Sequence, residues 1–255
     1  MCRQFITTGM SKEINISFPG GRKKAFTLSY DDGVMQDARL IKLLNKYGLK
    51  GTFNLNSGLM GQKNTLLCRG SMVEQNRFKR DRIRQIYQGH EIAAHSSHHP
   101  DLTAISQSER VEEILGDQKE LERIAGYKVQ GFAYPFGTYD EGIIQLLEHS
   151  PIVYARTIQS TWRFDLPENF LKWHPTCRHR EDRMEKLGEQ FLNCRPQETD
   201  PPIIFCLWGH SYEFDIPGEW ERIERFFEKI AWHQDIWYAT NIQIALALEI
   251  SAEGC

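Results

Sequence analysis

A short apolar run followed by an amphipathic stretch recurs along almost the whole of this 255-residue chain, and that alternation restricts the fold more than any other feature. Residues 25–29 read as a strand. Leu40, Ile41, Leu44 and Tyr47 then repeat at helical spacing behind Asp37, which can cap a helix, and Gly48 can end it. Further strands are predicted at 52–55, 91–94, 129–134, 152–158, 203–207 and 236–239, with 171–176 as one more. Between them lie a basic helix carrying Phe78, Ile83, Ile86 and Tyr87, and a long helix from Val111 to Ile124 that ends at Gly126. Helices at 142–148, 180–193, 217–230 and 242–248 follow, the last behind an Asn241 cap. Repeated strand–helix units imply parallel strands with helices outside. Seven or eight units predict an α/β chain built as a distorted (β/α)7-8 barrel, with a doubly wound open sheet as the alternative. One domain over 1–255, with its core at about 24–245, accommodates the pattern. No GxGxxG or P-loop sits at a strand–helix turn, so neither a dinucleotide nor a P-loop phosphate site is suggested.

Charge narrows the function classes. The chain has 31 basic and 34 acidic residues, a net charge of −3, and so no positive excess for a nucleic-acid backbone. No apolar run approaches the ~18–20 residues of a membrane helix. Residues 1–20 contain no apolar segment that could act as a signal peptide, which predicts a cytoplasmic location; a leader missing from the sequence would make the protein a secreted one. The six cysteines, Cys2, Cys68, Cys177, Cys194, Cys206 and Cys255, form no CxxC pair and are expected as free thiols. Oligomeric state is not legible.

In a (β/α) barrel the active site lies at the C-terminal ends of the strands. Four clusters of polar and turn residues fall there: Tyr30-Asp31-Asp32-Gly33, His95-Ser96-Ser97-His98-His99, Pro135-Phe136-Gly137 and Trp208-Gly209-His210. Adjacent carboxylates in a tight turn point in different directions, so Asp31 and Asp32 can hold different tasks, one binding a cation and the other accepting a proton. A solvated Asp-Asp-Gly turn is the plain alternative. His95 and His99, at i and i+4, share a face if the segment is a helical turn, within reach of one metal. Two imidazoles and one carboxylate leave open positions on such an ion, which could then acidify water and polarise a carbonyl. A polar loop with one buried ring is the alternative, and His98 is the competing ligand if the segment is not helical. His210, ending the apolar run 203–207, is placed as a general acid or as a hydrogen-bonded core histidine.

These motifs, in this order, resemble those of the polysaccharide deacetylases, the NodB-homology domains of carbohydrate esterase family 4. The family patterns read roughly T-F-D-D-G, H-[ST]-x-x-H, R-x-P-[YF] and L-x-H, and the likeness extends over about residues 24–245. It implies Asp31 as the base that activates water. It implies Asp32, His95 and His99 as ligands of zinc or another divalent metal. Phe136 would offer a backbone N–H to the oxyanion, and His210 would protonate the leaving amine. Tyr134 and Trp208 would line the substrate site, and the partner would be an acetylated carbohydrate. Three departures stand out. The family arginine aligns with Ala133, so Arg156 is expected to supply the guanidinium instead, against the alternative of a structural arginine. Trp208 stands where the family often has leucine. The family's aspartate–tryptophan motif, which tunes the acid histidine, is not evident; Asp165 and Trp173-His174 are the nearest residues. Metal-dependent removal of acetyl from N- or O-acetylated sugars is therefore the first expectation. Hydrolysis of a small or cyclic amide and non-catalytic carbohydrate binding are the alternatives.

Overall fold

The first strand, β1 (Lys24–Asp31), shows how one sequence serves two environments. Side chains alternate across a strand. Phe26, Leu28 and Tyr30 enter a large apolar core with Leu40, Leu44, Phe226 and Phe227 from the surrounding helices. The alternate residues are small or polar: Ala25 joins a second, smaller core with Tyr154, Ile204 and Cys206. Thr27 donates to Asn241 Oδ1, and Ser29 accepts from Arg156 Nε. The structure, a computed structural model, describes residues 16–253, with side chains as far as Leu248. The expectations for Cys2 and Cys255, and for most of the N-terminal segment, lie outside those residues. Cys68, Cys177, Cys194 and Cys206 are free thiols.

The elements after β1 are α1 (Asp37–Lys46), β2 (Gly51–Leu55), the hairpin β3 (Thr65–Cys68) and β4 (Ser71–Glu74), and the short α2 (Ile83–Ile86). Next come β5 (Glu91–Ala94), α3 (Gln107–Val111), α4 (Asp117–Ala125), β6 (Gly131–Ala133), α5 (Glu141–Glu148) and β7 (Tyr154–Arg156). The chain then forms β8 (Cys177–Arg178), α6 (Met184–Asn193), β9 (Ile203–Gly209), α7 (Glu219–Ile230), β10 (Ile236–Tyr238) and α8 (Asn241–Glu253). The strands apart from the hairpin form one parallel sheet in the order β7-β6-β5-β2-β1-β9-β8, with β10 pairing the start of β1. Residues 173–179 join its two ends. Trp173 N–H donates to Ala155 O, while Thr176 and His179 N–H donate to Cys206 and Trp208 O. The sheet therefore curls into the expected distorted barrel with helices outside. No described helix is long and apolar enough to cross a membrane.

Local details correct the sequence expectations. Asp37 does not cap α1: its carboxylate accepts from Ser211 Oγ and Tyr87 Oη, at 2.5 and 2.7 Å. The basic helix shrinks to one 3-10 turn and α2, because the hairpin takes the preceding chain. The long helix begins earlier, at a capping box of Ser106 and Glu109, and carries a π-helical turn at Glu112–Gly116 between α3 and α4. Residues 171–176 are not a strand; Phe170–Lys172 form a 3-10 turn and Trp173 makes a single bridge to Arg156.

Candidate active site

β1 ends at Asp31, and Asp32 (φ 80°) and Gly33 (φ 65°) take left-handed backbone. The turn sends the two carboxylates different ways. A side chain at Gly33 would meet Leu55 Cδ2 as well as the unfavourable φ. Asp31 faces into the barrel. Arg156 Nη2 donates to both its oxygens, at 2.5 and 2.6 Å, and Asn54 Nδ2 donates to Oδ1 at 2.7 Å. Burial favours the neutral acid, but Arg156, His95 and His210 outweigh it and hold the Asp31 pKa down at about 2. Arg156 reaches Asp31 from β7, fully buried, with Ser29 Oγ and Thr157 O as further acceptors and its guanidinium 4.9 Å from the Trp208 ring centre.

Asp32 is gripped from the hairpin side. Gln75 Nε2 donates to Oδ2 at 2.7 Å and Arg77 Nη2 lies 3.6 Å from Oδ1. Ligand atoms of Asp32, His95 and His99 all lie within 4.8 Å of one another. The two rings sit 4.7 Å apart at 77°, yet the segment is not a helical turn, which corrects the geometry expected from i, i+4. Ser96 (φ 62°) and His99 (φ 57°) are left-handed, and the loop is held from outside. Asn56 Nδ2 donates to His95 O and Ser96 O, Ser97 N–H donates to Glu113 O, and His99 N–H donates to Ser96 Oγ. The π-helical turn supplies Glu113, and Asp117 just after it accepts from Ser57 and His95 N–H. Such turns are frequent at functional sites. Burial pushes the Asp117 carboxyl up to about 7. Glu113 also captures His98, whose exposed ring lies 2.7 Å from Glu113 Oε1, so His98 is not part of the cluster.

Burial pushes the His95 ring down to about 4, so it is neutral. Its Nδ1 sits 2.8 Å from Ala133 O, an acceptor only, so Nδ1 carries the proton and Nε2 keeps its lone pair. Phe136 follows at φ 56° in the turn after β6, 57% exposed, its ring 4.6 Å from that of His99. Tyr134 requires a correction. It is fully buried and its hydroxyl donates to Leu171 O at 2.7 Å, so its ring belongs to the wall behind the site and not to a substrate surface.

The far side of the barrel mouth contains residues that the motifs do not name. His210 Nδ1 lies 3.4 Å from Arg178 Nη2 and 3.8 Å from Glu213 Oε2. Glu213 is buried; Arg178 Nη2 and Arg180 Nη1 donate to its Oε1 at 2.5 and 2.6 Å, and His179 Nε2 is 3.2 Å from Oε2. Burial opposes the charged carboxylate, but the His179 and His210 rings and the two guanidiniums hold its pKa well below the usual range. Burial itself pushes His179 down to about 4, so the permanent charges here are the arginines'. Burial also works against a charged His210, yet Glu213, and behind it Asp32 and Asp31, leave its pKa above the ordinary value. Gly209 is required between them, because a Cβ there would overlap the His179 ring. The alternating Arg178-His179-Arg180 at a strand end, and a glutamate three residues after His210, were the signals that could have pointed to this cluster.

A sequence model of the polysaccharide deacetylase family matches residues 19–155, more than half of the chain. The uncharacterized protein YlxY of Bacillus subtilis is 26% identical over 108 residues, 42% of this chain but only 29% of that protein's length. Among solved structures, a Mycobacterium smegmatis protein described as a polysaccharide deacetylase has a TM-score of 0.67 at 18% identity, covering 92% of this chain and 93% of that one. The Puue allantoinase has a TM-score of 0.63 at 15% identity, covering 91% and 92%. The peptidoglycan deacetylase PdaC of Bacillus subtilis has a TM-score of 0.54 at 17% identity, covering 90% and 94%. At these identities the structures show a shared fold; the family match goes further, and this chain belongs to the polysaccharide deacetylase family, hydrolases of the deacetylase kind.

Proposed function

We propose that this site removes the acetyl group from an N-acetylated sugar in an oligosaccharide or polysaccharide, with zinc or another divalent cation held by Asp32, His95 and His99. The observation that carries the proposal is the convergence of those three ligands between an ionised carboxylate, Asp31, and a histidine biased towards its charged form, His210. The donor set fits such a cation: two imidazoles, one with its tautomer fixed by Ala133 O, and a carboxylate already positioned by Gln75. Bound there, a divalent cation would supply Lewis-acid polarisation of the acetyl carbonyl and raise the acidity of water.

Asp31 takes the proton from the attacking water. Its clamp by Arg156 and Asn54 keeps it ionised at working pH and fixes its direction, while making it a weak base. Phe136 N–H, presented by the left-handed turn, donates to the oxyanion, a contact worth ~3–4 kcal/mol in comparable hydrolases. His210 donates to the leaving nitrogen. An amine leaves poorly without a proton, so a histidine held above its ordinary pKa suits an amide more than an ester. Trp208, nearly buried between the Arg156 and Arg178 guanidiniums, forms the floor beneath His210. Peptidoglycan, the substrate in the PdaC name, is one glycan of the required chemistry.

The test is acetate release from N-acetylglucosamine oligomers and peptidoglycan fragments, before and after chelation. Chelator-sensitive acetate supports the proposal. Ring-opened product from a cyclic amide, without acetate, would move the assignment towards the chemistry of the allantoinase neighbour.

A further inference from the structure

Ion pairing at the barrel mouth is uneven. Among the described residues, three ion-paired carboxylates meet four guanidiniums: Asp31 pairs with Arg156, Asp32 with Arg77, and Glu213 with both Arg178 and Arg180; a fourth acidic group, Asp37, makes no ion pair there, is hydrogen-bonded to Ser211 and Tyr87, and is pushed by burial up to about 7. Within these pairs one guanidinium has no carboxylate of its own, and a divalent cation on Asp32, His95 and His99 would add positive charge. The whole chain is acidic at −3, so the arrangement is local.

That guanidinium is best taken as Arg178. Arg180 has a 12% exposed side chain and a second contact, Cys68 Sγ at 3.1 Å. Arg178 has a 34% exposed side chain and shares its one carboxylate with Arg180. Its Nη2 donates to Glu213 Oε1 and lies 3.4 Å from His210 Nδ1, its buried Nε has no acceptor, and its guanidinium is held over the Trp208 ring at 5.1 Å. A fixed guanidinium with an exposed edge matches the oxygens of a carboxylate or phosphate.

We infer that the substrate carries an anionic group, a carboxylate or phosphate, beside its acetamido nitrogen, and that Arg178 reads it. This rests on the proposed function, in which His210 faces the leaving amine: Arg178 touches His210, so the anion lies on the sugar side of the scissile bond, not the acetyl side.

Matched substrates test it. Acetate release is measured on neutral N-acetylglucosamine oligomers, on oligomers containing N-acetylmuramic acid (a carboxylate), and on N-acetylglucosamine 6-phosphate. The expected result is a tenfold or greater kcat/KM preference for at least one anionic substrate, reduced by 0.5 M salt, erased in Arg178→Gln and partly kept in Arg178→Lys. The two anionic arms tell carboxylate from phosphate. Equal use of neutral and anionic substrates by the native enzyme, or a preference that survives Arg178→Gln, would overturn the inference. Inorganic phosphate gives a readout without turnover: it should raise the Tm of the native protein by more than that of Arg178→Gln, and equal shifts count against the inference. A phosphate shift lost in Arg178→Gln, together with no acetate from any sugar, would sustain the anion site and sink the deacetylase proposal.

Discussion

The two sides of the barrel mouth solve opposite electrostatic problems with the same device, a carboxylate clamped by arginine. On the β1–β5 side the clamp acts on the group with a task of its own: Arg156 keeps Asp31 ionised, and Arg77 and Gln75 steady Asp32. On the β8–β9 side the clamped group serves another: Arg178 and Arg180 fix Glu213, which biases His210 towards its charged form. Asp37 connects the two sides, accepting from Ser211 just after His210 while sitting in the helix that follows Asp32. The lesson is that one arginine–carboxylate pair can hold an acid deprotonated or, one residue further out, a base protonated.

Breaking the first side has the largest expected effect. Asp31→Asn should lower acetate release by ~10³-fold, within the range for loss of a general base, while metal content stays at the native level; retained turnover would remove Asp31 from its role. Arg156→Met leaves a buried carboxylate unpaired and should cost about 3–5 kcal/mol of folding stability in a denaturant titration. A cost under ~1 kcal/mol would mean that Asn54 alone suffices. On the second side, Glu213→Gln should lower kcat by ~10–100-fold. The sign of the pH effect follows from the cause: the carboxylate raises the His210 pKa, so its loss moves the alkaline limb of the rate profile to lower pH. An unmoved limb would show that Glu213 only packs. His98→Ala should change least, within ~0.5 kcal/mol in stability and with no change in metal stoichiometry, because its ring is exposed and held by Glu113.

Sequence alone conveyed the first side well and the second poorly, for physical reasons. Strand–helix alternation and the residues ending each strand are local signals, so the barrel, the Asp31-Asp32 turn and the His95–His99 pair were all legible. Arg156 could be anticipated because one strand ends in one arginine where a guanidinium was missing. The hairpin was hidden because both its faces carry apolar residues, buried Val73 and partly buried Leu66 on one, exposed Leu67 and Met72 on the other, which erases the period-2 pattern. Glu213 was hidden because its partners arrive from a strand more than thirty residues earlier. The i, i+4 spacing of the histidines suggested a helical turn, whereas Asn56, donating to His95 O, and Glu113 O, accepting from Ser97 N–H, hold a loop with left-handed Ser96 and His99 that reaches the same convergence.

The most direct measurement is divalent-metal content with acetate release on the same preparations: native protein, chelated protein, and a His95→Ala, His99→Ala double variant. One equivalent of metal in the native protein is predicted, with acetate release that falls on chelation, returns on adding zinc or another divalent ion, and stays lost in the double variant with its metal. Undiminished acetate release from the metal-free double variant would contradict the account at its centre.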